Sequence, residues 1–253
     1  MYRLITIIAL LFPLQLLAED KVIHIYQDAD ISNHLESSDA IQKGIEVAFD
    51  EIGSEIDGYK IVYKYLDHRG NVVRSKRNYK TFIDDPKALV MFSGIHSPPL
   101  IKHRSFINEQ KALTLVPWAA GGPITRHPSK ENWVFRLSID DTQAALTIID
   151  YALNEQGCES PHLLLEDTPW GDSNLKSMTK VLSKNNLNDT RASRFSWNLG
   201  KLGARAILRN ITQAGDDCII LVGNAVEGAL IVKQMVELPS ENRLPIVSHW
   251  GIT

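Results

Sequence analysis

The feature that most constrains this chain is a regular alternation of short apolar runs with longer stretches patterned at helical spacing. Val22 to Tyr26, Tyr59 to Leu66, Ala88 to Phe92 and Ala112 to Val116 read as buried strands. Between the first two, Ser37-Ser38-Asp39 offers an N-cap and a first-turn acid, and Ile41, Ile45, Ala48, Phe49 and Ile52 share one helical face. Asn71 to Ile83 and Ser97 to Asn108 read as the next helices, Pro98 suiting a first turn. The second half repeats the plan, with strands at 133–136, 161–165, 193–197, 218–222 and 245–248. Its helices follow Asp140-Asp141, Asp172, Asn198 and Ala225. Strands separated by helices of about ten or more residues imply βαβ units and parallel sheets. Nine strands are many for one sheet, and Trp118 to Asn132 reads as a long loop. The expectation is therefore an α/β fold of two Rossmann-like lobes, 19–137 and 138–253, with mainly parallel sheets flanked by helices and a cleft between them.

The first residues read differently. Met1-Tyr2-Arg3 starts positive, Leu4 to Leu17 carries no charge, and Leu16-Leu17-Ala18 ends on a small residue before Glu19-Asp20. This is the three-part pattern of a secretory signal peptide over 1–18. Fourteen uncharged residues are too few for a helix across a ~30 Å hydrocarbon core. No cysteine stands at the expected cut, which argues against a lipoprotein. The expected location is the periplasm, with no stable membrane insertion once the signal is removed. A net charge of −3 gives no electrostatic case for nucleic acid. Two cysteines are too few for a disulfide scaffold. Export nevertheless favours oxidation; Cys158 lies just before the strand at 161–165 and Cys218 opens the strand at 218–222, two strands that doubly wound order makes neighbours. They are expected to lie close enough to bridge.

Enzyme signatures are missing: there is no phosphate loop, no G-x-S-x-G elbow and no H-E-x-x-H. Asp67-His68 and His96 fall near strand ends, but they read as a turn cap and lining residues, so no metal and no cofactor is expected. In open α/β sheets, ligands bind beyond the carboxyl ends of the strands. Those ends hold Ser97, at a helix N-terminus suited to an anion, and Trp118, Trp170 and Trp250, which can wall an apolar pocket.

At this point the chain resembles the type I periplasmic binding proteins of the leucine/isoleucine/valine-binding kind. "SSDAIQKGIEVAFDEI" is similar to that family's first helix, "IVYKYLDHRGN" to its second strand, and "KALVMFSGIHSPP" and "ALTLVPWAAGGPIT" to its third and fourth strands with their loops. "NWVFRLSIDDTQAA" resembles the crossing into lobe two, and "LLLEDTPWGDS" a lobe-two strand and turn. The resemblance implies that Ser97 is the lobe-one serine that binds ligand, and that Ala119 and Ala120 present backbone to its headgroup. It implies that Trp170 replaces a stacking tyrosine and that Asn224 and Ala225 line the cleft. Two departures stand out: the loop after the first strand, Gln27 to Ser32, is acidic, and His249-Trp250 occupies the place of the usual ammonium-pairing carboxylate. The family also runs on for about a hundred residues, so the chain resembles a fragment or a shortened sensor-type relative, without the return segments to both lobes.

The function implied is capture of a small molecule, of the amino acid, amide or organic acid class, for an ABC-type importer whose permease subunits are the partner. A ligand-binding sensor input domain is the alternative. A secreted α/β hydrolase is the third reading, and it lacks a recognisable nucleophile–base pair: His96 and Ser97 are adjacent in sequence, which does not make a triad.

Overall fold

A computed structural model of the chain describes residues 21–249. The expected signal segment and Trp250 lie outside the described residues. The chain folds as β1 (Val22–Ala29), α1 (Leu35–Glu51), β2 (Glu55–Ile56), β3 (Tyr59–Asp67), α2 (Val72–Ile83), β4 (Ala88–Ser93), α3 (Ser97–Glu109) and β5 (Thr114–Val116). It continues with β6 (Val134–Arg136), α4 (Asp141–Asp150), β7 (Pro161–Glu166), α5 (Pro169–Lys184), β8 (Ala192–Phe195), α6 (Lys201–Gln213), β9 (Cys218–Val222), α7 (Ala225–Val236) and β10 (Ile246–Ser248).

These strands form two sheets. The first has the order β2-β3-β1-β4-β5-β6 and the second β10-β9-β7-β8. All neighbours pair in parallel except β2 and β3, which make a short hairpin. Both central residues of that hairpin, Asp57 and Gly58, have positive φ of 50° and 77°. That geometry matches the twist of the flanking strands, and Asp-Gly adopts it at low cost.

The second sheet shows why its strands read as continuous apolar runs. All of β7 and β9 is buried. Leu163, Leu165, Ile220 and Val222 face Ala145, Ile149, Met178 and Leu182 of α4 and α5. The alternate residues Leu164, Ile219 and Leu221 face Ala204, Leu208, Ile231 and Met235 of α6 and α7. A strand covered on both faces has no polar side to show. Each such Leu or Ile contributes about 1.5–3 kcal/mol by leaving water. The first sheet is sandwiched in the same way: Met91, Val116 and Val134 pack with Tyr79, Phe82, Leu100 and Ile107, while Ile25, Ile61 and Val90 face the other side.

Cys158 and Cys218 form a disulfide with a Cα–Cα distance of 5.9 Å. The parallel pairing of β7 with β9, in which Pro161 lies opposite Cys218, brings them together.

Several helix starts differ from their sequence reading. Helix α1 begins at Leu35 rather than near Ser37, and no side chain caps it. The Ser38 hydroxyl instead donates to the Asp30 carbonyl, 3.2 Å away, tying the helix to the end of β1. Asn198 does not cap α6, which starts at Lys201 after Gly200, because 196–199 form a turn closed by Leu199 N–H on the Ser196 carbonyl. Helix α5 starts at Pro169, earlier than Asp172, since Thr168 caps it through the Gly171 N–H. Asp140 does cap α4, accepting from the N–H groups of Thr142 and Gln143. No helix among the described residues is long and apolar enough to cross a membrane.

Candidate functional site

The carboxyl ends of the two parallel sheets meet. On the first sheet, the neighbouring strands β3 and β1 lead directly to His68 and Asp30, and β4 leads to His96 three residues on. All three side chains are buried. His34, the residue before α1, completes the group. The Asp30 Oδ2 atom lies 3.1 Å from His34 Nδ1 and 3.2 Å from His96 Nε2, and the two nitrogens are 3.3 Å apart. Burial raises the Asp30 carboxyl, but its hydrogen bonds to His34 and His96 outweigh that and hold it well below the usual carboxylate range. Burial pushes the His96 imidazole down to about 4, assisted by His34 and His68 and opposed by Asp30. At neutral pH the site thus holds an ionised Asp30 beside a neutral His96.

The second sheet answers with Trp197, just after β8, whose ring lies 4.9 Å from that of His96. Its indole N–H donates to Glu166 Oε2 at the end of β7, 2.8 Å away. The other Glu166 oxygen accepts from both the backbone N–H and the side-chain amide of Asn224, at 2.8 and 2.7 Å. Burial pushes the Glu166 carboxyl up to about 7, against these hydrogen bonds and aided by the charge of Glu227. Gly70 sits at the seam with φ of +64°, and a Cβ there would approach Asp30 Oδ2 and the Trp197 ring at 3.2 Å each. The loop after β3 therefore needs glycine both for its backbone conformation and for this close approach.

A cavity of about 460 Å³ opens beside this seam. Asn33, His34, Leu35, Glu36 and Ser37 form one wall, Ile95 and Trp118 another, and Asn224, Ala225 and Val226 of α7 the opposite side. The cavity thus draws on both sheets. A second cavity, of about 430 Å³ near Ser105 and His127, is built only from the α3 end and the loop at 127–131. Neither α1 nor α7 has a side chain capping its N-terminus. The Asn224 amide, in the capping position of α7, is taken up by Glu166 instead. Two helix N-termini whose N-cap side chains do not cap them therefore border one cavity; the Glu227 carboxylate takes its own N–H in the first turn of α7, and the N–H groups left over favour an anionic ligand group.

Of the residues singled out from sequence, Trp118, Asn224 and Ala225 line this cavity. Ser97 is buried, and its Oγ accepts the Gly121 N–H at 3.0 Å. Ala119 and Ala120 are buried. Trp170 is buried and donates to Asp141 at 2.8 Å, and His249 packs 5.3 Å from its ring. These four, Ser97, Ala119, Ala120 and Trp170, do not border the cavity. His34, Leu35 and Val226 also line the cavity and are not among the residues the sequence singles out. The acidic loop after β1 was the available signal for the first two.

A family profile described as periplasmic binding protein matches residues 34–238. No curated protein sequence matches the chain. Among solved structures, a leucine-binding protein from Thermotoga maritima superposes with a TM-score of 0.77 at 16% identity, covering 91% of this chain and 64% of that one. A solute-binding protein of an ABC transporter from Rhodopseudomonas palustris HaA2, in complex with p-hydroxybenzoic acid, gives 0.81 at 18% identity, covering 92% and 62%. An R. palustris solute-binding protein in complex with benzoate gives 0.79 at 17% identity, covering 92% and 63%. The chain spans under two thirds of the length of each of these structures.

Proposed function

The chain belongs to the periplasmic binding protein family, a family of binding proteins rather than enzymes, and from that premise we propose that it captures a small organic acid with an apolar or aromatic body for an ABC-type importer. The ligand would lie between lobe one (19–137) and lobe two (138–253), in the cavity walled by Trp118. The carrying observation is that two uncapped helix N-termini, one beside each sheet, converge on that cavity. A carboxylate placed there receives backbone N–H groups from both sides, so binding and closure of the lobes become one event. Trp118 supplies a flat apolar wall for the rest of the molecule. Export by the leader at 1–18 places the protein in the periplasm, where importer substrates are collected. Structural relatives include benzoate and p-hydroxybenzoate complexes beside a leucine-binding protein, which supports a carboxylate-bearing ligand over an amide.

Calorimetry and thermal shift with benzoate, 4-hydroxybenzoate, leucine and benzamide test the reading. An acid at 100 times its Kd stabilises by about 2.7 kcal/mol. The expected order is aromatic acid above leucine, with benzamide weakest. No response to any acid at millimolar concentration, or equal response to benzoate and benzamide, overturns it.

A further inference from the structure

We propose that Asp30, His34 and His96 bind one divalent transition-metal ion, with zinc the best fit, in the wall of the interlobe cavity. Three atoms carry the inference. Asp30 Oδ2, His34 Nδ1 and His96 Nε2 form a triangle with sides of 3.1, 3.2 and 3.3 Å. Zinc binds imidazole nitrogen and carboxylate oxygen at about 2.0–2.1 Å, and a tetrahedron of that radius has edges of about 3.3 Å. The corners of the observed triangle lie about 1.85 Å from its centre, so an ion at zinc distances sits just off its plane. Two imidazoles and one carboxylate are a donor set that zinc and its neighbours in the first transition row accept.

Hydrogen bonding alone leaves the same triangle crowded. Each facing nitrogen carries at most one proton. If both are protonated they donate to the one Asp30 oxygen from nitrogens only 3.3 Å apart. If either is bare, its lone pair faces the carboxylate oxygen at 3.2 Å or less. A cation at the centre turns all three contacts into bonds. The surroundings are consistent with this. Asp30 is 2% exposed and His96 3%. The other Asp30 oxygen is held by the backbone and side-chain N–H groups of Asn33, so Oδ2 is aimed by its neighbours. Two more imidazole nitrogens at the cluster, His34 Nε2 and His68 Nδ1, are buried with no hydrogen-bond partner among the described residues. His68 lies 5.7 Å from His96, ring to ring. A metal-bound His34 would take a water as the outer partner of Nε2.

Because His34 belongs to both the triangle and the cavity wall, the fourth corner is within reach of water or of a ligand carboxylate. That last point rests on the function proposed above; the metal site does not. The test uses the full chain stripped with EDTA, titrated with Zn²⁺ in a calorimeter and with Co²⁺ in a visible spectrometer, with no organic ligand present. One equivalent should bind, and cobalt should show the intense visible absorption of four-coordinate sites. Changes to outer partners cost about 10–100-fold in affinity, so loss of a direct ligand should cost about 100-fold or more. His34→Ala, at the partly exposed corner and checked for folding by circular dichroism, should show that loss, as should Asp30→Asn. His24→Ala, whose imidazole pairs with Asp85 elsewhere at 2.5 Å, should bind as the parent does. Absence of Zn²⁺ and Co²⁺ binding in the parent, or undiminished binding in a folded His34→Ala, overturns the proposal. Neither result bears on benzoate binding in the stripped protein, which tests the function separately.

Discussion

Trp197 of the second sheet lies against His96 of the first, ring centroids 4.9 Å apart and planes inclined by 37°, while its indole N–H is held by Glu166. One side chain thus couples the seam between the sheets to a buried carboxyl. Trp197→Phe keeps the ring contact and removes the donor, leaving a Glu166 oxygen short of a partner. Orphaning a buried acceptor costs about 1–3 kcal/mol. The unfolding free energy should fall by that amount, read as a lower urea midpoint at unchanged slope. An unmoved midpoint would show that water replaces the indole at no cost.

The disulfide offers a second measure of stability. Cys158 and Cys218 are 60 residues apart in sequence. Closing a loop of that size removes denatured-chain entropy worth about 4 kcal/mol. For a chain of this length that corresponds to roughly 8–16 °C in melting temperature. The Cys158→Ala/Cys218→Ala double variant, and the parent melted with reductant, should both show the drop. A reductant effect below a few degrees would mean that the bond is not formed in the native protein.

How far the sequence spoke for itself depends on the distance between the residues involved. Strands β7 and β9 were readable because burial on both faces makes them unbroken apolar runs. The pairing of β7 with β9 and the meeting of the two cysteines followed from doubly wound strand order. Strand β2 is only two residues long, too short to show a period, and its sole signal was Asp57-Gly58, which passes equally well for a helix stop. Ser38 resembles a cap and so points to a later start for α1, whereas its hydroxyl in fact reaches back to Asp30. Trp118 and Asn224, which line the cavity, stand at strand ends, where sequence reasoning looks for ligand contacts. The meeting of Asp30, His34 and His96 is not legible in this way, because 66 residues separate Asp30 from His96 and no local spacing announces it. It exists only once β1 and β4 lie side by side.

Glu166 makes a pH prediction with a definite sign. Its carboxyl is raised from 4.5 to about 7, chiefly by burial. Between those values the native state binds more protons than the unfolded chain, so the contribution of Glu166 falls as pH rises from about 4.5 to 7 and is flat beyond. Asp141, also raised by burial to about 7, acts in the same direction. His96 and His249, lowered by burial to about 4, act oppositely between about 4 and 6.5. The parent's own slope is therefore a balance, and a difference measurement isolates one term. Glu166→Gln does not titrate, so the advantage of the parent over this variant should shrink steadily from pH 4.5 to 7. A melting-temperature difference independent of pH across that window would refute the assignment.

The last prediction separates the apolar wall of the cavity from its anion-binding end. Trp118 is half-buried, and its carbonyl accepts from the Ser138 hydroxyl at 3.0 Å, so the backbone stays anchored when the side chain is removed. Trp118→Ala should weaken an aromatic acid about tenfold, which is about 1.4 kcal/mol, and weaken benzamide by a similar factor, because both lose the same ring contact. Val226 stands in the first turn of α7, 57% exposed and facing the cavity. Val226→Asp places a negative charge where the helix dipole welcomes one, so the helix itself should gain slightly in stability. The same charge occupies the field that the ligand carboxylate uses. Benzoate binding should therefore fall steeply in this variant and recover partly at high salt, while benzamide binding changes little. Calorimetry of the two ligands against the two variants gives four numbers. Equal losses of benzoate and benzamide in Val226→Asp would mean that the N-terminus of α7 does not hold the carboxylate.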